Sequence, residues 1–133
     1  MFKKLILLSL LLFTLVGFSG NLKAQTLIFC ESVDANGNPE GKSSVFNISS
    51  SGGYLDMLVN LREDLNCYTV KYDVYKVVNG SDVYQYTITQ DTQLDWRWFW
   101  YKITFYDEGK YNIYLYDCND YLLTSGSVRI QYK

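Results

Sequence analysis

The chain has 133 residues, a formal net charge of −2, three cysteines and no histidine. The absence of histidine excludes the commonest general base, the serine–histidine and cysteine–histidine nucleophile pairs, and most zinc and copper sites. We therefore expect no enzyme activity and no cofactor.

The first 24 residues are typical of a cleaved signal peptide. Lys3 and Lys4 precede an apolar run over residues 5–18, which is the charged-then-apolar order of a secretory signal. Two cleavage points fit, one beside Gly17 and Ser19 and one after Ala24, and we favour Ala24. Because the run is only about 14 residues long and a spanning helix needs roughly 20, we expect no stable membrane span.

Cleavage after Ala24 leaves residues 25–133 as a single domain of a secreted, periplasmic or cell-surface protein. These 109 residues have a net charge of −5, because residues 1–24 remove three lysines and no acid. Nucleic-acid binding depends on clustered Lys and Arg that neutralise phosphates, so we expect no nucleic acid as partner. All 13 tyrosines and three tryptophans lie in this part, with many Val, Ile and Thr, which is a strand-forming composition.

Apolar and polar residues alternate with period two through most of residues 25–133, and Asn, Gly, Asp and Ser cluster between the alternating runs. The pattern predicts about eight strands and no helix. The predicted strands are 26–32, 44–48, 54–61, 68–78, 83–89, 97–105, 110–117 and 122–132. Short strands joined by turn signals favour an all-β, antiparallel sandwich or barrel.

Asp107, Gly109 and Tyr111 form an Asp-x-Gly-x-Tyr run at the start of the seventh predicted strand. The run resembles the tyrosine corner of immunoglobulin-like domains. The resemblance implies a bacterial-type Ig-like β-sandwich without the usual inter-sheet disulfide, since Ile113 stands where the family has its core cysteine. It implies almost nothing about function. A turn followed by an ordinary tyrosine-rich strand is the alternative.

Cys30, Cys67 and Cys118 all remain after cleavage, and an exported protein usually meets an oxidising compartment. If the chain is such a sandwich, Cys67 begins a strand antiparallel to the one that ends near Cys118. The two cysteines then lie at the same end of neighbouring strands, and we predict a disulfide between them. Cys30 stays free, either buried or available for an intermolecular bond. Three unpaired thiols that act as small apolar residues are the alternative.

The predicted strand 97–105 is aromatic on both faces. Alternation places four of its side chains on the core side: Phe99, Tyr101, Ile103 and Phe105. The solvent side, with two tyrosines of the following strand, forms the predicted ligand-binding surface: Trp96, Trp98, Trp100, Tyr114 and Tyr116. Rows of exposed rings usually mark a binding surface. The alternative is that a bulge or the N-terminal strand covers the tryptophans and makes them a second small core.

These features predict a secreted, non-catalytic binding module that recognises a protein or a glycan at the cell exterior, in protein interaction or adhesion. A carbohydrate-binding module is the first alternative, because flat rings suit sugar faces. A small carboxylate-dependent enzyme is the second, built on acids that gather at one end of the sandwich: Glu63, Asp64, Asp91, Asp95 and Asp120. It is disfavoured because so short a domain leaves little chain for a cleft.

Overall fold

The structure is a computed structural model and describes residues 25–133. The predicted signal peptide lies outside the described residues. The described residues form ten strands: β1 (Thr26–Cys30), β2 (Ser32–Val33), β3 (Pro39–Glu40), β4 (Val45–Ile48), β5 (Gly53–Asn60), β6 (Thr69–Val78), β7 (Ser81–Asp91), β8 (Trp98–Phe105), β9 (Gly109–Tyr116) and β10 (Leu122–Tyr132). Eight of them match the predicted strands to within a few residues. The other two, β2 and β3, form a short hairpin that the period-two pattern did not indicate.

The long strands form two sheets. One has three strands in the order β1-β5-β8, and the other has five in the order β4-β10-β9-β6-β7. Neighbouring strands are antiparallel except β10 and β4, which are parallel. The predicted all-β fold is confirmed, while a purely antiparallel arrangement is wrong. A long crossover, here the whole chain between β4 and β10, is what brings two strands to one sheet in the same direction.

The two sheets face each other across one apolar core. Three strands illustrate its composition with their inner, buried side chains: Leu55, Met57 and Val59 of β5, Val70, Tyr72 and Val74 of β6, and Tyr111, Ile113 and Leu115 of β9. Successive side chains of a strand point to opposite faces, so burial alternates along β6 and β9. The inner face of each long strand is therefore set by its period-two pattern.

Tyr111, the last residue of the Asp-x-Gly-x-Tyr run, bonds back to the first residue of that run. Its hydroxyl donates a hydrogen bond of 2.9 Å to the main-chain oxygen of Asp107, and its ring centroid lies 4.7 Å from that of Phe105. Burial, with a smaller contribution from Asp107, raises the pKa of Tyr111 to about 12. This hydrogen bond ties the entry of β9 to the preceding turn. The relationship to immunoglobulin-like domains remains a prediction.

A disulfide joins Cys67 to Cys118, with 5.7 Å between their Cα atoms, as predicted. Cys67 lies just before β6 and Cys118 just after β9, and these strands are antiparallel neighbours. The bridge therefore closes the end of the sandwich at which both strands have their loops. Cys30 is free and buried.

We expect the double substitution Cys67→Ala and Cys118→Ala to lower the free energy of unfolding. A bridge between residues 51 apart in sequence stabilises a fold by ~4 kcal/mol on the chain-entropy model. Urea denaturation of the two proteins measures the difference. Dithiothreitol should destabilise the native chain by a similar amount and leave the double variant unchanged. Equal stability of the native chain and the double variant would show that the bridge contributes nothing.

Candidate functional site

A groove of about 750 Å³ opens beside the free edge of β8, which is the last strand of the three-stranded sheet. Gln90 of β7, the edge strand of the other sheet, supplies one wall. The remaining wall comes from β8 and the loop before it: Asp95, Trp96, Arg97, Trp98, Phe99 and Trp100. All three tryptophans of the chain thus line one groove.

The loop that precedes β8 is held in place by main-chain hydrogen bonds to residues 61–68. The amide of Leu65 donates to the oxygen of Trp96 at 2.9 Å, and the amide of Leu61 donates to the oxygen of Arg97 at 2.7 Å. The Thr92 hydroxyl, which is buried, donates to the oxygen of Cys67 at 2.7 Å. Because its backbone groups are paired in this way, the loop presents Trp96 and Arg97 in a defined position.

Trp98 and Trp100 point away from the core, as the alternation of β8 predicts, and are 38% and 42% exposed. Their indole rings do not form a fully uncovered row. A Cβ atom on Gly37 would stand only 2.7 Å from the indole of Trp98, so the turn between β2 and β3 lies directly against that ring. The β2–β3 turn therefore covers part of the Trp98 indole. The alternative drawn from the sequence had named a bulge or the N-terminal strand as the covering segment.

Trp96 and Tyr101 depart from the predicted pattern of exposure. Trp96 precedes β8, where alternation no longer applies, and it is half-buried with its ring centroid 5.8 Å from that of Phe99. The prediction that Trp96 faces solvent in one row with Trp98 and Trp100 is therefore wrong. Tyr101 lies on the core side but is 37% exposed, because its ring reaches the open side of the sandwich and stacks 6.2 Å from Tyr72.

Tyr114 and Tyr116 lie on β9, in the five-stranded sheet, with side chains that point away from the core. The Tyr114 hydroxyl donates to the carboxylate of Asp82 at 2.7 Å, and its ring contacts that of Tyr75 edge to face. The outer faces of the two sheets are on opposite sides of the sandwich. The structure therefore separates these tyrosines from the tryptophans, and the single aromatic surface predicted from the sequence is wrong.

Gln90 is a groove residue that the sequence analysis did not identify. It is 6% exposed, and both ends of its amide are used. Its Oε1 accepts a bond of 2.6 Å from the hydroxyl of Tyr72, and its Nε2 donates at 3.0 Å to the main-chain oxygen of Trp100. Burial raises the pKa of the Tyr72 hydroxyl, which stays protonated and acts as the donor. The sequence signal that could have identified Gln90 is a polar residue at a position of β7 whose side chain points inward.

The acids considered for catalysis are in part neutralised by cations. Asp64 accepts a bond of 2.7 Å from Nε of Arg97, and Asp120 lies 3.5 Å from Nζ of Lys71. Within residues 25–133 no three His, Cys, Asp or Glu side chains are grouped so as to hold a metal ion. The same residues contain no helix of the length and apolarity needed to span a membrane.

Asp56 is the buried acid of the structure's three-stranded sheet. It lies on the outer face of β5 opposite Lys102 and is 6% exposed. Its Oδ1 has no hydrogen-bond partner among the described residues. Burial raises the pKa of Asp56, and the charge of Lys102 opposes this change in part. The adjacent Cys30 is fully buried, and burial followed by the charge of Asp56 raises its pKa.

Neither a protein-family model nor a curated protein matches this chain. Among solved structures, the fold is similar to that of a superoxide reductase (neelaredoxin) from Ignicoccus hospitalis. The likeness has a TM-score of 0.44 and 7% sequence identity, and it covers 83% of this chain and 80% of the other.

The predicted function, a non-catalytic module that binds proteins or glycans through an exposed aromatic surface, is corrected by the structure. Trp98 and Trp100 lie on the outer face of the three-stranded sheet, whereas Tyr114 and Tyr116 lie on the outer face of the five-stranded sheet, so these residues do not form one surface. We withdraw that function together with its carbohydrate-binding alternative, which depends on the same surface, and the small carboxylate-dependent enzyme stays a prediction. A likeness at this level transfers no activity to the present chain.

We expect Asp56→Asn to stabilise the protein at pH 7 by about 1 kcal/mol, because a charged carboxylate is then no longer buried without a partner. Folding raises the pKa of Asp56, so the contribution of this residue to stability is fully present below its ordinary pKa of 3.8. That contribution is lost as the pH rises through the folded pKa. Urea denaturation at several pH values measures the gain, which should vanish near pH 3.

The matched control is Asp91→Asn, at the exposed end of β7, which should leave stability unchanged within about 0.5 kcal/mol. If Asp56→Asn destabilised the protein at pH 7, the carboxylate would have a favourable partner and the prediction would be wrong.

Proposed function

We propose that this protein binds a small, flat organic molecule in the groove beside β8. The observation that carries the proposal is the groove itself, a recess of about 750 Å³ walled by three indoles and a phenyl ring. Small-molecule sites in proteins are typically clefts of about 300–1,000 Å³ with apolar and aromatic walls and a few polar groups.

The construction of the groove supports this proposal. Gln90 fixes one wall by bonding both Tyr72 and the backbone of Trp100. Main-chain bonds to residues 61–68 fix the loop that carries Trp96 and Arg97. Walls held in this way lose little conformational freedom when a ligand enters, which favours binding.

We also propose that binding takes place outside the cytoplasm. The signal-like sequence of residues 1–24 supports export. The Cys67–Cys118 disulfide supports the same compartment, because such bridges persist mainly under oxidising conditions.

A neutral flat probe, 2-naphthol, tests the groove. All three tryptophans line it, so the three indole N–H signals in ¹⁵N-correlated NMR spectra each report on its occupancy. We expect saturable shifts with a Kd on the order of 1 mM for a probe of this size. The substitution Trp100→Thr should weaken binding roughly tenfold, because a lost aromatic contact costs about 1–1.5 kcal/mol.

The matched control is Tyr84→Thr, which removes an exposed ring from β7 that does not line the groove. It should bind 2-naphthol as the native protein does. Absence of indole shifts up to the solubility of the probe, or equal binding by the native protein and Trp100→Thr, would overturn the proposed function.

A further inference from the structure

The charged side chains of the groove differ in whether a neighbouring residue balances their charge. Two charged side chains line it, Asp95 and Arg97. Arg97 is already matched, since its Nε donates to Oδ1 of Asp64 at 2.7 Å. The neighbouring Glu63 adds a second negative charge, and both acids raise the pKa of Arg97. A ligand therefore does not meet Arg97 as an uncompensated cation.

Asp95 is in the opposite situation. Among residues 25–133 its carboxylate takes part in no ion pair, and no hydrogen bond to it is present. The other polar group of the groove, the Gln90 amide, is bonded at both ends. Of the two charged residues that line the groove, Asp95 is thus the one whose charge no ion pair balances among residues 25–133.

The aromatic walls of the groove also favour a positively charged ligand. The face of an indole ring carries negative electrostatic potential and attracts cations, and tryptophan does so more strongly than the other aromatic residues. Three indoles and one free carboxylate line this groove. A positively charged ligand gains from both, whereas an anion is repelled by both.

From these observations we propose that the ligand is an organic cation, such as a quaternary or tertiary amine, held between the indoles and Asp95. This inference rests on the proposed function, because it names the chemical class of the molecule that the groove binds. It does not require any change of fold or any second site.

Three probes of nearly equal shape test whether the groove prefers a cationic ligand: choline, its neutral analogue 3,3-dimethylbutan-1-ol, and the anion 3,3-dimethylbutanoate. Indole N–H shifts at constant ionic strength give the affinity of each. We expect choline to bind about 2- to 30-fold more tightly than the neutral alcohol, the range of cation–π interactions. The anion should bind more weakly than the alcohol. Raising sodium chloride to 0.5 M shortens the Debye length from about 10 Å at 0.1 M to roughly 4 Å, and it should weaken the binding of choline while leaving that of the neutral alcohol unchanged.

The substitution Asp95→Asn should reduce choline affinity about fivefold and leave the affinity for the alcohol unchanged. The matched control is Asp120→Asn, an acid that lies beside Lys71 and does not line the groove, and it should change neither affinity.

The outcomes separate this inference from the function on which it rests. If 2-naphthol binds but choline and the alcohol bind equally, or the anion binds most tightly, the groove is a binding site and the cation inference is wrong. If none of the four probes shifts the indole signals, the proposed function fails as well.

Discussion

The apolar core between the two sheets determines which side of every long strand meets water. Each sheet must bury one face, and successive side chains of a strand point to opposite faces, so one buried residue fixes the orientation of its whole strand. In β8 the core takes Phe99, Ile103 and Phe105, and Trp98 and Trp100 are thereby directed outward. The packing of their neighbours thus sets the direction in which Trp98 and Trp100 point.

The groove exists because the two sheets are not joined by backbone pairing on this side. β7 and β8 are the edge strands of different sheets. The contacts that approach the free edge of β8 come from side chains, with Gln90 bonded to the oxygen of Trp100 and the hydroxyl of Tyr86 3.5 Å from the oxygen of Thr104. Side chains that satisfy edge carbonyls hinder pairing with a further strand. These side chains also leave a recess between β7 and β8, because they fill less of the space there than a further strand would.

The outer faces of the sandwich differ in character. The three-stranded sheet is partly covered by the β2–β3 hairpin, which meets Trp98 at Gly37, and Cys30, Asp56 and Leu58 are buried on that side. The five-stranded sheet instead presents tyrosines joined to polar groups, such as Tyr114 to Asp82. Hence the outward-pointing aromatic residues of this chain have different surroundings. Trp98 and Trp100 of β8 line a recess, whereas Tyr114 of β9 belongs to a hydrogen-bonded surface.

The sequence by itself determined the eight longer strands, the inner faces of most of them and the class of fold, because period-two alternation and turn residues act locally. It also supported the pairing of Cys67 with Cys118, since antiparallel neighbours bring their ends together. Only the tertiary structure decided that Trp96 turns back onto Phe99, that the hairpin covers Trp98, and that Tyr114 lies across the sandwich from the indoles. The groove likewise depends on Gln90 reaching from β7 to β8. These features arise from contacts between residues distant in sequence, and the alternation within one strand carries no information about which sheet that strand joins or what packs over it.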